Sequence, residues 1–135
     1  MTDGAFAPVR RAALWIPGTG PAHDLERGHL FILLTDLGPD GMVLTVPVCS
    51  LVHGHDNTCL LGKGDHPSVH RPSFIAYYQL NLFRAEVLET QEQKGIIFAR
   101  GLLDEKLFAL VCAGVEDSRQ APPKFKKYFA DVTAR

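Results

Sequence analysis

The stretch that most constrains the fold of this chain is residues 29–50. Residues 29–35 (HLFILLT) are continuously apolar from Leu30 onward, the pattern of a strand buried on both faces. The cluster DLGPDG at 36–41 forces a turn. Residues Met42–Ser50 (MVLTVPVCS) then return as a second, β-branched strand. Pro47 lies inside that run and brings no N–H, so it must fall at an edge or a bulge.

Shorter elements flank this pair. Residues 9–16, with Leu14, Trp15 and Ile16, predict a first strand, broken at Pro17-Gly18-Thr19-Gly20-Pro21. The polar residues 22–28 extend that break into a loop of about ten residues, longer than most connections and therefore a candidate functional loop. Residues 59–61 predict a short strand, 73–78 a turn of helix, 80–88 a strand, and 95–100 a last strand broken by Gly101. The period then changes. Leu107, Leu110, Val111, Gly114 and Val115 form a helical stripe, and Asp104 is placed to cap it. After Pro122-Pro123, Phe125, Tyr128, Phe129 and Val132 repeat the stripe, flanked by Lys124, Lys126 and Lys127. The expectation is an α+β, mainly antiparallel β chain: a small barrel of five to seven strands with one or two C-terminal helices. It forms a single domain over 1–135, with a loose leader (1–8), a barrel (9–102) and a helical segment (103–135).

Composition bounds what such a barrel can do. With 135 residues, 46% apolar and 21% charged, the chain can bury a core without disulfides or metal. Fourteen Lys+Arg against fifteen Asp+Glu give a net charge of −1, which excludes a basic field over the whole surface but not a local patch. No apolar run approaches the ~20 residues that span a bilayer, and the start of the chain has no charged-then-apolar signal pattern. The expected setting is cytoplasmic, without a membrane. Cys49, Cys59 and Cys112 are too few and too widely spaced for a disulfide framework or zinc knuckle, and read as small apolar core residues.

Two stretches carry residues suited to chemistry. His53, His55, His66 and His70, with Asp56, Asp65 and Cys59 among them, offer zinc-type donors. Their spacing matches no ligand pattern, and Pro67 breaks any helical pairing of His66 with His70. Gly62-Lys63-Gly64-Asp65 lacks the order of a phosphate loop and reads as a tight turn. Residues 66–78 (HPSVHRPSFIAYY) combine Arg71 with Phe74, Tyr77 and Tyr78, a set that can hold phosphate while aromatics stack on unpaired bases. Phe74 and Ile75 read as core, and the two tyrosines can equally be core.

With the strands in this order, residues 13–50 resemble the opening half of the MazF/PemK toxins, the ribosome-independent RNA endonucleases of toxin–antitoxin modules. The matching pieces are Leu14-Trp15-Ile16, the polar loop 17–27 ending in Arg27, the apolar strand 30–35, and Val46-Pro47-Val48-Cys49-Ser50. A weaker similarity continues through Gly64-Asp65 and residues 73–82. The resemblance implies an SH3-like barrel, usually a homodimer, that takes an RNA substrate beneath its first long loop and answers to an antitoxin protein. It implies cleavage without cofactor or metal, the RNA 2′-hydroxyl attacking its own phosphodiester. The family's arginine falls on Arg27, acting on phosphate or as proton donor, and its hydroxyl on Ser50, donating to the oxyanion. Thr19, His23, Asp65, His66, Arg71 and Tyr77 complete the candidate RNA or ligand contacts. Two alternatives stand beside this reading: a non-catalytic barrel binding protein or nucleic acid, and a metal-dependent hydrolase built on the histidines.

Overall fold

A computed structural model describes residues 6–19 and 27–134. Among these residues seven strands run in the order β1 (Ala12–Pro17), β2 (Gly28–Leu33), β3 (Met42–Ser50), β4 (Leu60–Leu61), β5 (Ser73–Ile75), β6 (Asn81–Arg84) and β7 (Phe98–Leu102). Helix α1 (Ala85–Gln93) separates β6 from β7, and α2 (Glu105–Asp117) and α3 (Pro123–Thr133) follow. All pairings are antiparallel, along the path β4-β5-β3-β2-β1-β7 with β6 also on β3. The architecture is α+β and mainly antiparallel. Among the described residues the path stays open, with β4 at one end and β7 at the other, so the expected barrel is an open sheet there.

Strand β3 organises the sheet. One edge pairs with β2, with Leu30 opposite Val48 and Ile32 opposite Val46. The other edge serves β6 along Met42–Thr45 and β5 along Val48–Ser50. Pro47 falls at the changeover, its carbonyl accepting from the Ala76 N–H at 3.1 Å. A residue's N–H and C=O leave a strand on the same side, so the missing donor of Pro47 faces the junction between β6 and β5, where no ladder requires it.

The continuously apolar strands are buried on both faces. Ala13, Leu30, Ile32, Leu44, Val46 and Val48 face Tyr77 and the α2 residues Phe108, Val111 and Val115. Ala12, Leu14, Leu33 and Val43 face Ala85 and Leu88 of α1, with Ile97. Full burial of one such side chain stabilises by roughly 1.5–3 kcal/mol, so the sheet's stability is concentrated in β1, β2 and β3. Asp104 caps α2 as expected, accepting from the N–H groups of Lys106 and Leu107, each at 3.1 Å. Helix α3 docks on its own sheet: Phe125, Tyr128 and Phe129 pack against the first core, and the Tyr128 hydroxyl donates to Asp40 Oδ1 at 3.0 Å.

Three local expectations are corrected. Residues 80–88 are not one strand. Beyond Arg84 the run AEVLETQEQ consists largely of good helix formers, and Ala85 and Leu88, three apart, anchor it as α1. Residues 73–78 begin as β5, because Phe74 pairs with Cys49 and Leu60, and only Tyr77–Gln79 make a 3-10 turn. Gly101 does not end β7. With φ +73°, it and Arg100 together oppose Ala13 in a bulge, and the strand continues to Leu102. No helix among the described residues is long and apolar enough to cross a membrane. Cys59 is buried, Cys49 and Cys112 are half-buried with thiols pushed up to about 11 by burial, and all three are free.

Candidate nucleic-acid interface

The cleft begins where β1 and β2 come together at the base of the long loop. Pro17 pairs with Gly28, and the Gly18 N–H donates to the Arg27 carbonyl at 3.0 Å. A Cβ at position 28 would overlap the Ile16 carbonyl oxygen and lie 2.9 Å from Pro17 Cα, both backbone atoms, so only glycine permits this approach. The two strands therefore close tightly, leaving Thr19 and Arg27 on either side of the loop base.

Beside them lies a cleft of about 500 Å³. Trp15, Thr19 and residues 27–30 form one wall, the end of β3 with Cys49 and Ser50 another, and Ser68 to Arg71 with Phe74 and Tyr78 the remainder. Its charged and titratable side chains include Arg27, His29, His70 and Arg71, and among the described residues its lining has no Asp or Glu. In a chain of net charge −1, this is a local concentration of positive potential.

Individual groups are held in defined ways. The Thr19 hydroxyl donates to the Ile16 carbonyl at 2.8 Å and lies 3.1 Å from His29 Nδ1. Burial, with the neighbouring Arg27 charge, pushes the His29 pKa below its ordinary value, against a hydrogen bond to Thr19 that pulls it up. Ser50 ends β3 opposite Ser73, whose hydroxyl donates to the Arg71 carbonyl at 2.8 Å and so fixes the backbone that carries Arg71. Tyr78 is 53% exposed at the cleft, its hydroxyl accepting from Gln79 Nε2 at 2.7 Å.

The structure thus brings Thr19, Arg27, Ser50 and Arg71 to one cleft. His23 lies outside the described residues. Three candidates lie outside the lining of this cleft. Asp65 closes a turn, accepting from the Gly62 N–H at 2.7 Å. His66 is buried, with Nε2 2.9 Å from the Arg100 carbonyl and Nδ1 accepting from the Ser68 N–H, so both ring nitrogens are engaged inside the fold. Tyr77 is fully buried and donates its hydroxyl to the Val111 carbonyl at 2.8 Å, which leaves no face for a base. Of two adjacent tyrosines one turns inward and one outward, and composition alone could not choose between them. His29 was also missed; its only signal was a polar residue opening an otherwise apolar strand.

The histidine-rich stretch does not assemble. His66 is committed as described, His55 lies against the Phe74 ring at 5.4 Å, and no three potential metal ligands converge among the described residues. Asp56 is instead a buried structural group. It accepts from the Ser118 hydroxyl at 2.6 Å and from the Thr58 N–H at 2.8 Å, tying this loop to the end of α2.

Comparison with known proteins separates fold from sequence. No protein-family model matches the chain, and no curated protein matches it. Among solved structures, it is similar to a chain of the MazE–MazF complex of Deinococcus radiodurans (Form-III). The match covers 83% of this chain and 95% of that one, with a TM-score of 0.54 at 13% identity. A second crystal form of the same complex (Form-II) aligns over 83% and 94%, with a TM-score of 0.53 at 12% identity. The antiparallel sheet and terminal helices of this chain have a MazF-like fold.

Proposed function

We propose that this chain is a MazF-like toxin that cleaves RNA without a metal, and that the cleft between Arg27 and Ser50 is its active site. The observation that carries the reading is the lining itself: arginines and histidines around a serine hydroxyl, with no carboxylate among the described residues. Such a lining suits a polyanion and disfavours cationic ligands. The MazF-like fold supports the same reading.

In this mechanism the guanidinium of Arg27 holds the scissile phosphate through paired N–H donors. The RNA 2′-hydroxyl attacks the adjacent phosphorus, and the Ser50 hydroxyl donates to the equatorial oxygen on which charge develops. Arg71 binds a neighbouring phosphate, and the exposed ring of Tyr78 stacks on an unpaired base. The products are a 2′,3′-cyclic phosphate and a free 5′-hydroxyl. In the cell the protein is cytoplasmic, acts as a homodimer, and is held in check by an antitoxin, as the pairing of the similar structures with MazE suggests.

The test uses purified protein and a labelled single-stranded RNA in excess chelator. Cleavage is expected in wild type, a loss of about 10²–10³-fold in Ser50→Ala, and a larger loss in Arg27→Ala. Intact RNA with retained binding would make the cleft a binding site only and remove the enzymatic reading.

A further inference from the structure

We infer that His29 is the general base of this cleft, its Nε2 taking the proton from the attacking 2′-hydroxyl. The inference rests on the endoribonuclease reading above and adds to it a group that neither Arg27 nor Ser50 can replace. The argument begins with the protons. The single hydroxyl proton of Thr19 is committed to the Ile16 carbonyl, 2.8 Å away. Toward His29, Thr19 can therefore only accept, and the 3.1 Å contact requires the proton on Nδ1. The neutral ring then carries its lone pair on Nε2, the arrangement of a base oriented by a second residue.

Position agrees with this role. Arg27 immediately precedes β2 and His29 is its second residue, so the two are alternate residues of an extended chain and both line the cleft. Burial and the Arg27 charge keep the imidazole neutral near physiological pH, as a base must be. The other titratable groups of the lining serve less well. Arg27 and Arg71 cannot accept a proton near neutrality, and burial keeps the Cys49 thiol protonated. His70 is exposed on a loop, with no hydrogen bond fixing its ring among the described residues. Tyr78 already accepts from Gln79.

The step balances. As the 2′-oxygen forms its bond to phosphorus, its proton passes to Nε2 and the bond from phosphorus to the 5′-oxygen breaks. That oxygen leaves with a proton from water in the open cleft, and the imidazolium returns its proton to solvent. No net oxidation or hydrolysis occurs. Thr19 acts as a positioning residue, holding the tautomer.

The experiment measures kcat/KM for RNA cleavage in chelator against pH, for wild type, Arg27→Ala and His29→Asn, together with the ring titration of His29 by NMR. Asparagine keeps an N–H for Thr19 and lacks the base. Wild type is expected to lose activity on the acidic side, with a midpoint below the ordinary imidazole value that matches the ring titration. His29→Asn is expected to lose about 10²–10⁴-fold together with that acidic limb, while binding a 2′-O-methyl copy of the RNA within about 2-fold of wild type. A variant that keeps its rate or its acidic limb, or a wild-type limb that does not match the ring titration, overturns the inference. If Arg27→Ala abolishes cleavage while His29→Asn does not, only the role of His29 fails. If wild type leaves RNA intact, the endoribonuclease reading fails and this inference with it.

Discussion

Replacing Gly114 by alanine sets helix propensity against packing, and the two disagree in sign. Gly114 lies in the interior of α2, where alanine would favour the helix by about 1 kcal/mol. Its new Cβ, however, would overlap Tyr77 Oη and Cζ and lie 3.0 Å from Cε2. Tyr77 is fully buried, and its hydroxyl is spent on the Val111 carbonyl. Overpacking a filled core costs about 1–3 kcal/mol, and breaking that buried hydrogen bond adds about 1–3 kcal/mol. After the propensity gain, a net loss of roughly 3 kcal/mol remains. For a chain of this length that lowers Tm by roughly 10 °C. Thermal and urea unfolding of Gly114→Ala should show this loss. In Tyr77→Phe/Gly114→Ala the Oη overlap is gone but Cζ and Cε2 still intrude, so the double variant should recover part of it, a coupling of about 1 kcal/mol. Gly114→Ala at or above wild-type stability would refute the placement of Tyr77 in the core under α2.

Other expectations follow from single contacts. Gly28→Ala should open the β1–β2 pairing at the base of the loop, because its Cβ meets backbone and not a movable side chain; RNA binding should weaken before global stability does, read by a binding titration beside a melt. Burial alone would raise the pKa of Asp56, but hydrogen bonds from Ser118 and Thr58 and the nearby His55 outweigh it and hold the carboxyl below its usual range. A depressed folded pKa stabilises above the unfolded value and is lost as pH falls through the folded one. Ser118→Ala should therefore cost about 1–3 kcal/mol at neutral pH and show a shallower loss of stability on acidification than wild type; parallel urea curves near neutral and acidic pH check this, and an unchanged acid slope would contradict it. Arg71→Ala should weaken RNA binding and flatten its dependence on log salt by about 0.7 for the one lost phosphate contact; an unchanged slope would place Arg71 off the RNA path.

What the sequence disclosed follows the range over which each signal acts. The apolar run of β2, the β-branched β3 and the Pro/Gly break after β1 are local patterns, and β3 spans Met42–Ser50 in the structure as in the sequence. The stripes of α2 and α3 are equally local. Helix α1 was not legible because its nine residues are mostly exposed and only Ala85 and Leu88 are buried, so its helicity depends on docking against the sheet. Strand β4 falls within the short strand read over 59–61, whereas β5, read as a turn of helix, exists through pairing with β3 and β4, contacts between residues apart in the chain. The cleft shares that character. Arg27, Ser50 and Arg71 each carry suitable chemistry, yet only the crossing of three strands and a loop brings them together. His66 shows the reverse, a polar residue in a polar stretch that the fold turns inward to hold the Arg100 carbonyl.

The most direct measurement of the central claim is controlled expression in bacteria, with growth and total RNA integrity followed for wild type and Arg27→Ala. The account predicts growth arrest with fragmented RNA in wild type, and normal growth with intact RNA in a folded, equally abundant Arg27→Ala. Normal growth and intact RNA with abundant wild-type protein would contradict it, as would RNA fragmentation undiminished by the substitution.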